Sequence, residues 1–94
     1  MQISDVSNHA RARMQQRGVP PVLIELLDAY GATQHDHRGA EVLYFDKAAR
    51  RRLQQAEGRD VYRAVEPKLN VYAVVARDGR LVTVGRRDHR INRC

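Results

Sequence analysis

The sequence predicts an α+β fold. A single small domain covers residues 1–94, with an N-terminal helical hairpin packed on an antiparallel four-stranded sheet in the order ααββαββ. Three observations carry this. Before residue 31, apolar residues recur at helical spacing between residues that start and stop helices. After residue 70 they alternate in β-branched runs on either side of Asp78-Gly79. At 94 residues the chain can bury one modest core and no more.

The elements follow in order. Ser7 or Asn8 can cap a helix over 8–17, with Val6, Ala10 and Met14 as a narrow apolar stripe and Gly18 as its stop. Pro20 and Pro21 suit a second helix start. Val22, Leu23, Leu26, Leu27 and Tyr30 give that helix its apolar face, and Gly31 ends it. The short connection requires the two helices to pair as a hairpin. "ATQHDHRGAEVLYF" reads as strand, turn at Arg38-Gly39, strand. Asp46 caps a third helix from Lys47 to about Glu57, with Phe45, Ala49, Leu53 and Ala56 on its buried edge and Gly58 after it. Residues 59–69 read either as a short helix or as a connector, and Pro67 ends any helix there.

"NVYAVVARDGRLVTVGRR" is a hairpin around a two-residue Asp78-Gly79 turn. That turn sets Ala76 opposite Leu81, Val75 opposite Val82 and Val74 opposite Thr83. One face is then Val71, Ala73, Val75, Val82 and Val84, apolar throughout and aimed at the helices. The other is mixed: Tyr72, Val74, Ala76, Leu81, Thr83 and Arg87.

Composition narrows the function classes. The chain carries a net charge of +6, and 15 of its 17 basic residues are arginine. A basic domain attracts phosphates and acidic partners. Arginine's planar fork matches two phosphate oxygens at once, although a GC-rich genome would enrich arginine as well. The single cysteine, Cys94, makes no internal disulfide and no zinc spacing. No apolar run reaches the length of a membrane span, and "MQISDVSNHA" holds no signal core, so a cytoplasmic location is expected.

Three clusters bear on chemistry. His9, Arg13 and Arg17 repeat every four residues and line one side of the first helix, about 100° round from Ala10 and Met14. A histidine there can move protons near neutral pH, and the arginines can hold a phosphate. They can equally be solvent-facing helix residues. In "TVGRRDHR", Thr83 and Arg87 share the mixed face with Tyr72, while Arg86 points the other way. This set is a phosphate platform, or a good strand followed by a solvated tail. In "QHDHRGAE", His35, Asp36, His37 and Glu41 suggest a metal, but turn-flanking polarity accounts for them and no cofactor is expected. Arg50, Arg51 and Arg52 cover a helix surface and can meet a nucleic-acid backbone, as can Arg17, Arg86 and Arg90. No aromatic pair in the sequence shows the spacing of a stacking platform.

The chain resembles a family of small bacterial proteins, the domain of unknown function family 4258. The resemblance rests on "HARARMQQRGV" (9–19), "YFDKAARRRL" (44–53) and "VYAVVARDGRLVTVGRR" (71–87), which span nearly the whole chain in the expected order. Members of that family look like the group of small ribonucleases and toxins that includes barnase, colicin nucleases and RelE-type toxins. The resemblance implies a metal-independent endoribonuclease in which the ribose 2′-hydroxyl attacks the adjacent phosphate. His9 would transfer the proton, Arg13 and Arg87 would neutralise the phosphorane, and Thr83 would donate a hydrogen bond. Relatives often read Gly-His-Arg after the last strand, where this chain has Gly85-Arg86-Arg87. Either His89 substitutes for the missing histidine, or catalysis is weak or absent, since arginine is too basic to act as a general base.

The leading expectation is therefore a protein acting on RNA, or on an RNA-containing complex, through a cleft between the first helix and the mixed sheet face. Two alternatives belong to other classes. One is a non-catalytic mobile-element or phage-type protein that blocks a nucleic-acid machine through its arginines. The other is an interaction module that uses a Tyr72, Val74 and Leu81 patch. An acidic protein partner, such as an antitoxin, would suit the charge. The oligomeric state is not legible.

Overall fold

The computed structural model describes residues 3–36 and 38–87. Its elements are β1 (Asp5–Val6), α1 (Asn8–Arg17), α2 (Pro21–Tyr30), β2 (Ala32–His35), β3 (Glu41–Tyr44), α3 (Lys47–Glu57), α4 (Arg59–Val65), a 3-10 turn (Glu66–Lys68), β4 (Val71–Val75) and β5 (Arg80–Arg86). They form a small α+β domain with a five-stranded sheet in the order β1-β5-β4-β3-β2. β1 pairs parallel to β5 and the other neighbours are antiparallel, so the sheet is mixed rather than four-stranded and antiparallel. Two residues carry no periodicity, and β1 exists only because β5 offers it an edge.

The helices form where their caps say. Ser7 Oγ accepts from the Ala10 amide at 3.0 Å, and Gly18 closes α1 in the left-handed region at φ 64°. Asp46 Oδ1 accepts from the Ala49 amide at 2.8 Å and starts α3. Residues 59–69 resolve into α4 and the 3-10 turn, with Tyr62 and Val65 packed on the core.

The helical hairpin is corrected. α1 lies along β5 instead of pairing chiefly with α2, which packs towards α3, β3 and β4. Its start is pinned by the Ser7 amide on the Leu81 carbonyl (3.0 Å) and Ser7 Oγ on the Val82 carbonyl (3.2 Å). Its end is held by Arg86, whose Nε and Nη2 donate to the carbonyls of Arg17 (2.8 Å) and Gly18 (3.1 Å). A stripe as narrow as Ala10 and Met14 suits a strand surface better than a second helix. On α2 the buried residues are Leu23, Ile24, Leu26 and Leu27, while Val22 is 48% exposed. On α3, Ala49 and Leu53 are buried and Ala56 is exposed.

The β4–β5 hairpin also differs from expectation. The Gly79 amide donates to the Ala76 carbonyl (2.9 Å) and the Ala76 amide to the Arg80 carbonyl (2.9 Å), so the loop holds Arg77, Asp78 and Gly79. Asp78 Oδ1 accepts from the Arg80 amide at 3.0 Å and fixes this longer loop, with Gly79 at φ 93°. The extra loop residue moves the pairing by one, giving Val75 opposite Leu81. A bulge at the next step restores Val74 opposite Thr83, Ala73 opposite Val84 and Tyr72 opposite Gly85. Leu81 is therefore fully buried and Val82 is 38% exposed, the reverse of the two-residue-turn expectation.

The inner sheet face is Leu43, Val71, Ala73, Val75, Leu81 and Val84, all buried in one cluster with Ala10, Leu23, Leu27, Ala49, Leu53 and Leu69. On the outer face, Val42, Tyr44, Tyr72, Val74 and Thr83 are half-buried and lie outside that cluster. Among the described residues no helix is long and apolar enough to cross a membrane.

Candidate functional site

The outer face is where the sheet gathers polar and aromatic groups. Pairing of β3 with β4 sets Tyr44 directly opposite Tyr72, and pairing of β4 with β5 sets Tyr72 opposite Gly85. Gly85 has no side chain, and the Tyr72 ring occupies the space one would fill. A Cβ built there would stand 2.6 Å from Tyr72 Cε1 and Oη. The Tyr72 ring is thus seated on β5. Arg87 lies against the neighbouring tyrosine. Its amide donates to the Asn70 carbonyl at 2.7 Å, extending the pairing beyond the end of β5, and its guanidinium carbon lies 4.9 Å from the Tyr44 ring centroid. That is within cation–π range. Thr83 stands on the same face, opposite Val74.

The result is two adjacent tyrosines, a forked cation held over one of them, and a hydroxyl donor. Stacking pre-orients the guanidinium plane and limits the freedom it would lose on meeting an oxyanion. Sequence reasoning placed Tyr72, Thr83 and Arg87 on one face, and the structure does bring them together. It missed Tyr44. Alternation in "EVLYF" puts Tyr44 on the face opposite Leu43, but only the long-range β3–β4 register sets it beside Tyr72.

The other sequence-predicted residues lie elsewhere. His9 is exposed in the first turn of α1, Arg13 is half-buried and Arg17 is exposed in the last turn. α1 approaches β5 from the side to which Arg86 points, and Arg87 points the other way. Among the described residues, no hydrogen bond or ion pair joins the His9, Arg13 or Arg17 side chain to Thr83 or Arg87. Arg86 is engaged in holding α1. On α3, Arg50 Nη2 donates to Asn70 Oδ1 at 3.5 Å, and Arg52 Nη2 donates to the Tyr30 carbonyl at 2.8 Å, while Arg51 is exposed. His37, His89 and Arg90 lie outside the described residues.

Among the described residues, no group of three or more His, Cys, Asp or Glu is placed to hold a metal ion. Asp36 has a structural task. Its Oδ1 accepts from the amides of Arg38 (2.8 Å) and Ala40 (3.1 Å). The Arg38 amide, then the Ala40 amide and the Arg38 charge, hold its carboxyl below the ordinary value.

No protein family, curated protein or solved structure matches the chain.

Proposed function

We propose that this protein binds single-stranded RNA across the outer face of its sheet. The observation that carries the reading is the Arg87 guanidinium held over Tyr44 beside Tyr72 on its Gly85 seat. Aromatic faces accept unpaired bases, and a forked cation beside them accepts the connecting phosphate. Thr83 supplies a further donor, and the net charge of +6 favours a polyanion. A duplex offers no free base faces, so single strands fit better. Whether the chain also cleaves the RNA, as a metal-independent endoribonuclease would, is a separate chemical demand. No described histidine stands on this face.

The test is fluorescence anisotropy with a labelled single-stranded RNA over a salt series. Loss of a stacking partner costs about 1–3 kcal/mol, so Tyr72→Ala is expected to weaken binding roughly 5- to 150-fold. Arg87→Gln should weaken it and reduce the log–log salt slope by about 0.7. Arg51→Gln on α3 should do neither. Wild-type affinity in both sheet variants, with a loss in Arg51→Gln, would move the interface to α3 and refute the reading.

A further inference from the structure

β2 is the open edge of the sheet. It stands last in the strand order, and among the described residues only β3 pairs with it. The Asp36 amide donates to the Ala40 carbonyl at 3.1 Å, which sets the alternation of this pairing. Ala32 and Gln34 then turn their amides and carbonyls to β3, and Thr33 and His35 turn theirs outward. By the same alternation the Gly31 carbonyl faces outward, while its amide is taken by the Leu27 carbonyl at 2.9 Å. Thr33, Gln34 and His35 are exposed, and Gly31 leads into them with extended backbone at φ −66° and ψ 154°. Such an edge is a template for another strand. The usual obstacles are missing here. Residues 31–35 hold no proline and no fixed charge, on a chain whose net charge is +6, and the β2–β3 register runs without a bulge.

The edge is complementary to itself. Turned about a two-fold axis, two copies of β2 pair antiparallel with Thr33 opposite Thr33. Ala32 then faces Gln34 of the other copy, and His35 faces Gly31, which has no side chain to crowd the ring. Each Thr33 amide meets the other Thr33 carbonyl, and each His35 amide meets a Gly31 carbonyl. Only the His35 carbonyl, facing an amide already given to Leu27, is left to water. Charge selects this register. Asp36 of each copy falls opposite Tyr30 of the other, whose carbonyl accepts from Arg52 Nη2 at 2.8 Å. Glu57 is turned to the far end of the Tyr30 ring, where it accepts from the hydroxyl at 2.6 Å. One step along, with Thr33 opposite His35, Arg38 would come to the Arg52 end instead, cation to cation.

We infer that the protein self-associates by antiparallel pairing of β2 with β2 of a second copy, Thr33 opposite Thr33. The inference goes beyond the RNA-binding reading and stands without it. The outer faces of the two copies run on in one sheet, with a Tyr44 on each side of the seam. A seam of this kind buries few side chains, so the pairing is weak and depends on concentration.

The experiment is sedimentation velocity on the full chain, free of nucleic acid, from about 10 µM to about 1 mM, with amide hydrogen exchange followed by NMR. Wild type should pass from monomer to dimer, and the Thr33 and His35 amides should exchange more slowly as concentration rises. Thr33→Pro removes an amide that serves only the seam, so the monomer should keep its fold. Self-association should weaken roughly 5- to 150-fold, because each dimer loses both Thr33 hydrogen bonds. Charge tests the register. Thr33→Lys and Thr33→Glu should each be monomeric, and an equal mixture of the two should recover the dimer, since only in this register do the two side chains meet. Wild type that stays monomeric at about 1 mM overturns the inference. A dimer that survives Thr33→Pro with wild-type affinity overturns it too, and places the interface elsewhere. So does a mixture no more associated than its parts. Should Thr33→Pro unfold, the Lys and Glu variants decide alone.

Discussion

Gly85→Ala isolates the contact on which the outer face is built. The backbone at Gly85 is not in the left-handed region, so alanine meets no conformational penalty there. The obstacle is the Tyr72 ring. The new Cβ would lie 2.6 Å from Cε1 and Oη and 2.7 Å from Cζ, where ordinary carbon contacts need about 3.5–4.0 Å. The ring must move by roughly 1 Å, and overpacking of that kind costs about 1–3 kcal/mol. For a domain of this size, each kcal/mol lowers Tm by about 4–8 °C. With Tyr72→Ala in place the obstacle is gone, and Gly85→Ala should be neutral or gain about 0.5–1 kcal/mol by stiffening the strand. A double-mutant cycle by thermal or urea unfolding therefore expects a coupling of about 1–3 kcal/mol between the two positions. Equal cost of Gly85→Ala in both backgrounds, within about 0.5 kcal/mol, would show that the ring does not sit on Gly85. RNA affinity should fall in Gly85→Ala as well, because the Tyr72 ring is displaced from its place beside Tyr44.

The remaining predictions concern what holds the site in place. Arg86→Met removes two charge-assisted bonds from the end of α1 and should cost about 1–2 kcal/mol after allowance for solvent at this half-buried side chain; an unchanged urea midpoint would contradict this. Ser7→Ala and Asp46→Ala each remove an N-cap and should cost about 1 kcal/mol, with Ser7→Ala the larger because its hydroxyl also donates to the Val82 carbonyl; the comparison is made by chemical unfolding. Asp36 has a depressed folded pKa, so its contribution to stability is present above its unfolded value, about 3.9, and is lost as pH falls through the lower folded value. An NMR titration should find its carboxyl midpoint below 3.9, and Asp36→Asn should flatten the acid limb of the stability profile.

Local chemistry determined most of the helices and the β2–β3 and β4–β5 hairpins. Caps and stops such as Ser7, Gly18 and Asp46 act within three or four residues, so their consequences can be read in the chain. Alternation likewise put Tyr72, Thr83 and Arg87 on one face and sent Arg86 to the other. What the sequence did not determine depends on partners distant along the chain. β1 is strand only because β5 lends it an edge, and α1 lies on β5 because Ser7 and Arg86 fasten its two ends there. Asp78 selected a three-residue loop by capturing the Arg80 amide. That loop shifted the pairing by one and exchanged the fates of Leu81 and Val82, and the bulge that followed restored the register from Val74 onward. Tyr44 joined Tyr72 through β3–β4 pairing across more than 25 residues. Local preferences act over a few residues, whereas a surface is assembled by pairing and burial, whose energies are settled only when the whole sheet closes on its core.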